Sequence, residues 1–165
     1  MTARRGLRRG VGAAALAAVL VAGCSRASAA PPAVEVLDAY TIPGEGSLAV
    51  YLTLGNAGGD DAIVGARLRG GAAPRVERIT LHRTVERDGL TTMRPAERLE
   101  VPGGSATALG PGGGHLMLEG LTSPVALGDS LELTVELDRS GPVDVTVTVV
   151  TADEALARLR EEDEP

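Results

Sequence analysis

The chain has 165 residues, 44% of them hydrophobic and 23% charged, a length and composition that indicate a single globular domain. Aromatic residues make up 1% of the sequence and the formal net charge at pH 7 is −6, so base stacking and attraction to a phosphate backbone are both disfavoured as functions. The chain contains no lysine, which excludes lysine Schiff-base catalysis and the phosphate-binding loop of the GxxxxGK[ST] type.

The N-terminal segment has the pattern of a bacterial export signal. Arginines precede an uncharged apolar run over residues 11–22, which is too short to span a bilayer as a helix. The run ends in Val21-Ala22-Gly23-Cys24, which resembles a lipobox, the motif whose cysteine is lipidated and becomes the mature N-terminus. We therefore predict a lipoprotein signal peptide over residues 1–23, a tether over residues 24–32, and a lipid anchor on Cys24 at the extracytoplasmic face of the cell membrane. An ordinary signal peptide that contains a cysteine is the alternative, and the sequence permits either Sec or twin-arginine export.

The sequence of residues 33–151 predicts an all-β domain. Alternation of apolar and polar residues, together with Gly-, Pro- and Asp-rich turns, predicts short strands at even spacing, as in an antiparallel sandwich or barrel. The predicted strands cover residues 34–40, 48–54, 63–68, 76–85, 90–93, 101–109, 115–121, 131–137 and 143–149. Residues 152–165 are expected to form a frayed acidic tail.

Four metal-binding side chains lie within one window of 36 residues: His82, Met93, His115 and Met117. Residues two apart in a strand share a face, so His115 and Met117 point the same way, and a turn at Asp88-Gly89 can return Met93 beside the strand of His82. Thioether and imidazole donors favour Cu(I), whereas structural zinc sites prefer thiolates and Mg²⁺ or Ca²⁺ prefer oxygen ligands. A blue-copper electron-transfer site is disfavoured because the only cysteine is the predicted lipid anchor.

Each of these residues also has an ordinary structural explanation when it is taken alone. Methionine commonly fills cores, and a single histidine is commonly a surface or hydrogen-bonded residue. The alternative function is a metal-free, lipid-anchored β-sandwich adaptor, which requires His82 and Met117 to be far apart or Met117 to be buried among leucines. An enzyme is disfavoured because the sequence has no Cys–His pair, no GxSxG elbow and no acidic residue placed to orient either histidine.

The spacing His82-x10-Met93-x21-His115-x-Met117 resembles the copper-binding signature of the PCuAC family of periplasmic copper chaperones. The resemblance extends over residues 33–150. Flanking segments that also resemble the family are Tyr51-Leu52-Thr53-Leu54, Gly58-Gly59-Asp60, Met93-Arg94-Pro95, Pro111-Gly112-Gly113, His115-Leu116-Met117-Leu118 and Gly128-Asp129.

The resemblance implies a cupredoxin-like, Greek-key β-sandwich that binds one Cu(I) ion through His82, Met93, His115 and Met117. It further implies a non-enzymatic chaperone, expected to be a monomer with no nucleic-acid partner. Its copper acceptor would be a cytochrome c oxidase subunit, which carries the CuA centre, or a Sco-like protein. This chain departs from many family members in its predicted lipid anchor. Its acidic C-terminus also lacks His and Met, so a second, Cu(II)-type site is not expected.

Overall fold

The computed structural model of the chain describes residues 30–70 and 76–162. Within these ranges it contains ten strands and one helix. The strands are β1 (Val34–Thr41), β2 (Ser47–Asn56), β3 (Asp61–Leu68), β4 (Arg78–Arg87), β5 (Leu90–Ala96), β6 (Leu99–Val101), β7 (Ser105–Leu109), β8 (Gly114–Glu119), β9 (Ser130–Leu137) and β10 (Gly141–Val149), and the helix is α1 (Ala152–Glu162). The predicted signal peptide and Cys24 lie outside the described residues.

The core is built almost entirely from leucine and valine. In β2 the four alternate residues Leu48, Val50, Leu52 and Leu54 are buried, as the period of two predicts. They pack with buried residues of β8 and β4 from one layer and of β9, β10, β3 and β6 from the other. Burial of each such side chain contributes about 1.5–3 kcal/mol.

The strands are ordered β5-β4-β8-β2-β1-β10-β9-β3-β6, with β7 also paired to β2. The first half of β2 pairs with β8 and the second half with β7, so this long strand belongs to both layers of the sandwich. The predicted all-β sandwich is confirmed. It is not wholly antiparallel, because β1 and β10 pair in parallel through Tyr40–Thr148 and Thr41–Val149.

The predicted strand over residues 101–109 is divided into β6 and β7. Pro102 cannot donate to a ladder, and Gly104 has a φ of 73°, a backbone conformation that favours glycine. A Cβ on Gly103 would lie 2.3 Å from the carbonyl oxygen of Gly58, so the turn needs glycine there as well. Because β6 pairs with β3 and β7 pairs with the second half of β2, this turn connects two strands that have different partners in the same sheet.

The expectation of a frayed tail is wrong for residues 152–162, which form α1. The helix begins with a capping box. The backbone amide of Glu154 donates to Thr151 Oγ1 at 3.2 Å, and the amide of Thr151 donates to Glu154 Oε2 at 2.8 Å. Ala155 is buried against Tyr40 and Val150, which anchors the helix to the sandwich. Within the described parts of the chain, no helix has the length and apolar character needed to cross a membrane.

Candidate metal site

All four predicted metal ligands lie on the same face of the β5-β4-β8-β2 region. His82 of β4 lies directly opposite His115 of β8, and their ring centroids are 5.6 Å apart. Met117 lies opposite Thr80, two residue pairs further along the same two strands. Their neighbours in sequence point the other way, into the core, where Leu81, Leu116 and Leu118 are buried. The face that carries the ligands is therefore the outer face of this layer.

Met93 reaches the cluster through the β4–β5 hairpin. The turn at Asp88-Gly89 has positive φ at both residues, which is the two-residue hairpin geometry that this dipeptide favours. The resulting register places Met93 directly opposite Thr84, two residues beyond His82 on the same face of β4. The structure thus places Met93 beside the strand of His82, as the turn signal in the sequence predicts.

The four side chains differ strongly in exposure. His115 is only 3% exposed, whereas Met93 is 59% exposed on the edge strand β5. His82 and Met117 are half-buried. The cluster therefore runs from a buried imidazole to a thioether that solvent reaches freely.

The histidine rings have unused hydrogen-bonding atoms. Among the described residues, neither ring nitrogen of His115 has a hydrogen-bond partner, and the same holds for Nδ1 of His82. The other nitrogen of His82, Nε2, lies 3.2 Å from Thr80 Oγ1. Buried polar atoms are nearly always paired in proteins, so unpaired imidazole nitrogens on one face are typical of a ligand site.

The protonation state of His115 suits metal binding. Burial, and to a lesser extent the positive charge of a protonated His82, lowers the pKa of His115 below its ordinary value of 6.5. A lowered pKa keeps the ring neutral near pH 7. A neutral imidazole is the form that binds a metal ion.

A cavity of about 280 Å³ opens beside the cluster. It is lined by Ala49, Tyr51, Thr84, Thr91, Met93, Pro111, Gly112, His115 and Met117. His82 is not part of this lining and meets the cavity through its contact with the His115 ring. Three of the four predicted ligands therefore surround one largely apolar space.

The donor set determines which ions fit. The described residues contain no group of three or more His, Cys, Asp or Glu side chains that could hold a metal ion. The candidate donors, two thioethers and two imidazoles, suit a soft monovalent cation better than Zn²⁺, Mg²⁺ or Ca²⁺.

Tyr51 forms part of the cavity wall and was not predicted from the sequence as a site residue. Its ring centroid lies 6.2 Å from that of His115, at an interplanar angle of 62°. The signal for it was present in β2, where Leu48, Val50, Leu52 and Leu54 face the core and the intervening Tyr51 must face outward. A large aromatic residue on the outer face of an amphipathic strand is unusual in a chain with only two aromatics.

Solved structures of known proteins have the same fold as this chain. Three solved PCuAC-domain structures are similar to this chain. "Apo PCuAC domain from PmoF1" has a TM-score of 0.58 and 18% identity, over 72% of this chain and 93% of that one. "Copper-bound PCuAC domain from PmoF2" has a TM-score of 0.55 and 18% identity, over 72% of this chain and 92% of that one. "Solution structure of CuI-DR1885 from Deinococcus radiodurans" has a TM-score of 0.53 and 23% identity, over 79% of this chain and 84% of that one. At these identities the likeness establishes the fold.

The sequence comparisons identify the family. The curated "Putative lipoprotein Lxx21020" of Leifsonia xyli subsp. xyli (strain CTCB07) is 33% identical over 107 residues, which are 64% of this chain and 62% of that protein. The sequence profile of the family described as "Putative lipoprotein LpqE-like" matches residues 25–149. The chain belongs to this LpqE-like lipoprotein family, with the β-sandwich fold of PCuAC domains.

Proposed function

We propose that the chain is an extracytoplasmic metallochaperone that binds one Cu(I) ion through His82, Met93, His115 and Met117. The observation that carries this proposal is the buried His115, whose two unpaired ring nitrogens lie beside a cavity that two thioethers also line. Neutral, soft donors hold Cu(I) without adding charge, which suits a site that receives an ion and later releases it. The copper named in the titles of the PmoF2 and DR1885 structures, which share this fold, is a second support.

The gradient of exposure suggests how the ion leaves. Met93 is the most exposed donor and lies on an edge strand, so an acceptor reaches it first and replaces it first. His115 is buried and is the last donor to be exchanged. In this proposal the acceptor is a membrane protein such as the CuA-bearing subunit of cytochrome c oxidase or a Sco-like protein. A lipid anchor on Cys24 raises the effective concentration of the chaperone at that membrane.

The metal-free adaptor is less well supported. It requires either that His82 and Met117 be far apart or that Met117 be buried among leucines. His82 and Met117 lie on neighbouring strands and on one face, two residue pairs apart in register. Met117 is half-buried between Thr80 and Ala49, and it lines the cavity.

The thioethers are tested by replacing each sulfur without changing the bulk of the side chain. We expect Met93→Leu and Met117→Leu each to weaken Cu(I) binding by about 10-fold or more, measured anaerobically by competition with a Cu(I) chelator on the full chain in detergent. Leu90→Ala is the matched control, because Leu90 is an exposed apolar residue of the same hairpin and does not line the cavity; its affinity should equal that of the wild type. Wild-type affinity in both Met→Leu variants would remove the thioethers from the site.

A further inference from the structure

We propose that α1 positions the candidate copper site, with Arg158 as the positioning residue that holds the helix in place. The inference rests on the proposed function for the identity of the ion, and on geometry for the role of the helix. The helix lies beyond residues 25–149, the part of the chain that matches the family profile. Its role is therefore not contained in the family assignment.

The first connection between the helix and the site is a row of rings across neighbouring strands. Tyr40 of β1 lies directly opposite Tyr51 of β2, with ring centroids 5.4 Å apart. The ring of Tyr51 lies in turn 6.2 Å from that of His115, which lies 5.6 Å from that of His82. Each ring limits the positions open to the next, so a shift of Tyr40 changes the packing around His115.

Arg158 fixes the far end of this row. Its guanidinium carbon lies 5.3 Å from the ring centroid of Tyr40, and the guanidinium pairs with both carboxylate oxygens of Asp38 on the same strand. Ala155, one helical turn earlier, is buried against Tyr40. A planar guanidinium can stack on a ring and bind a carboxylate at the same time, here through one nitrogen that contacts both Asp38 oxygens, which a lysine does less well.

The second connection reaches the opposite wall of the cavity. A Cβ placed on Gly110 would lie 3.2 Å from Leu159 Cδ2, so Leu159 packs against the bare backbone of Gly110. Gly110 also accepts a hydrogen bond of 2.9 Å from the amide of Gly113. The turn between them contains Pro111 and Gly112, which line the cavity. One helix thus supports both the Tyr51 wall and the Pro111-Gly112 wall through the consecutive residues Arg158 and Leu159.

The test compares three arginine variants of the full chain in detergent. Arg158→Gln removes the charge and the fork, Arg158→Lys keeps the charge, and Arg160→Gln removes a charge from an exposed position of the same helix. Two properties are measured: the Cu(I) dissociation constant, by chelator competition, and the tyrosine fluorescence of the metal-free protein. Tyr40 and Tyr51 are the only tyrosines and the chain has no tryptophan, so this emission reports on the row itself.

We expect Arg158→Gln to change the metal-free tyrosine emission and to raise the Cu(I) dissociation constant about 3- to 10-fold. This loss of affinity is smaller than the ~10- to 100-fold that is typical when a residue in direct contact with a metal-binding side chain is mutated. Arg158→Lys should recover part of both effects, and Arg160→Gln should match the wild type in both. An unchanged dissociation constant in a folded Arg158→Gln protein overturns the inference, whether or not its tyrosine emission changes.

A second variant, Leu159→Ala, tests the role of α1 through a different contact. If thermal melting shows that Arg158→Gln does not fold, Leu159→Ala replaces it, because that variant keeps the Asp38 pair and removes only the contact with Gly110. The dissociation constant of Leu159→Ala should rise, and wild-type affinity would overturn the inference. A wild-type chain that takes up no Cu(I) overturns the proposed function itself. If the wild-type chain takes up Cu(I) and the variants have the same dissociation constant as the wild type, only the role of α1 is overturned.

Discussion

The imidazole of His115 is buried with both of its nitrogens unpaired among the described residues, and this arrangement costs stability. An unsatisfied buried polar group costs about 1–3 kcal/mol. A leucine of similar size at this position would avoid that cost. Residues that lower stability in this way are commonly retained for function, which is consistent with His115 as the innermost ligand.

The lowered pKa of His115 predicts a pH dependence in the metal-free chain. The unfolded chain takes up a proton near pH 6.5, whereas the folded chain resists protonation because of burial. The free energy of unfolding is therefore fully expressed above pH 6.5 and decreases as the pH falls below it, by at most about 1.4 kcal/mol per pH unit. Urea unfolding in the presence of a chelator, at pH 7.5, 6.5 and 5.5, measures this decrease in the free energy of unfolding.

Two histidine variants separate this effect from other titrations. His115→Leu should be more stable than the wild type and should lose the decrease between pH 6.5 and 5.5. His82→Leu should keep most of it, because burial is the larger cause of the shift and the charge of His82 is the smaller. A decrease of the same size in His115→Leu would assign the effect to other groups.

At the residue scale, the sequence predicted that the four candidate side chains lie together on one face, but it did not predict what surrounds them. Spacing and strand alternation placed Met117 beside His115, and the turn chemistry of Asp88-Gly89 placed Met93. The contact of Tyr51 with His115 depends on β2 pairing with β8. These strands are far apart in sequence, and no local pattern specifies which distant strands become neighbours.

At the element scale, the strands were predicted to within a few residues wherever one face is buried, because a period of two identifies the buried face. Two elements were not predicted, and in both the decisive signal was short. The split of β6 from β7 depends on Pro102 and two glycines. The start of α1 depends on a capping box, the sequence Thr151-Ala152-Asp153-Glu154, which precedes a segment with few apolar residues. Tertiary contacts of Ala155 and Arg158 then stabilise a helix that has few apolar residues of its own.

At the scale of the whole molecule, the composition and the even spacing of turns predicted an all-β sandwich, which the structure confirms. They did not predict the parallel pairing of β1 with β10, because these strands come from opposite ends of the domain. That pairing places β1 between β2 and β10, so Asp38 and Tyr40 lie where α1, which follows β10 directly, can reach them. The route from the end of the chain to the candidate metal site is thus a consequence of topology.

Attachment to the membrane is a prediction about the whole chain in its cell. The wild-type protein should fractionate with membranes, because two acyl chains on Cys24 anchor stably where one does not. Cys24→Ala should appear in the soluble extracytoplasmic fraction, and cell fractionation followed by immunoblotting measures the difference. Equal membrane association of Cys24→Ala would contradict the assignment of Cys24 as the anchor.

We propose that two imidazoles and two thioethers converge on one Cu(I) ion. X-ray absorption at the copper edge, on the full chain loaded anaerobically with Cu(I), tests this proposal. We expect one equivalent of copper in the reduced state, with both sulfur and nitrogen neighbours from His82, Met93, His115 and Met117. A copper shell without sulfur, or a pure protein that does not take up one equivalent, would contradict it.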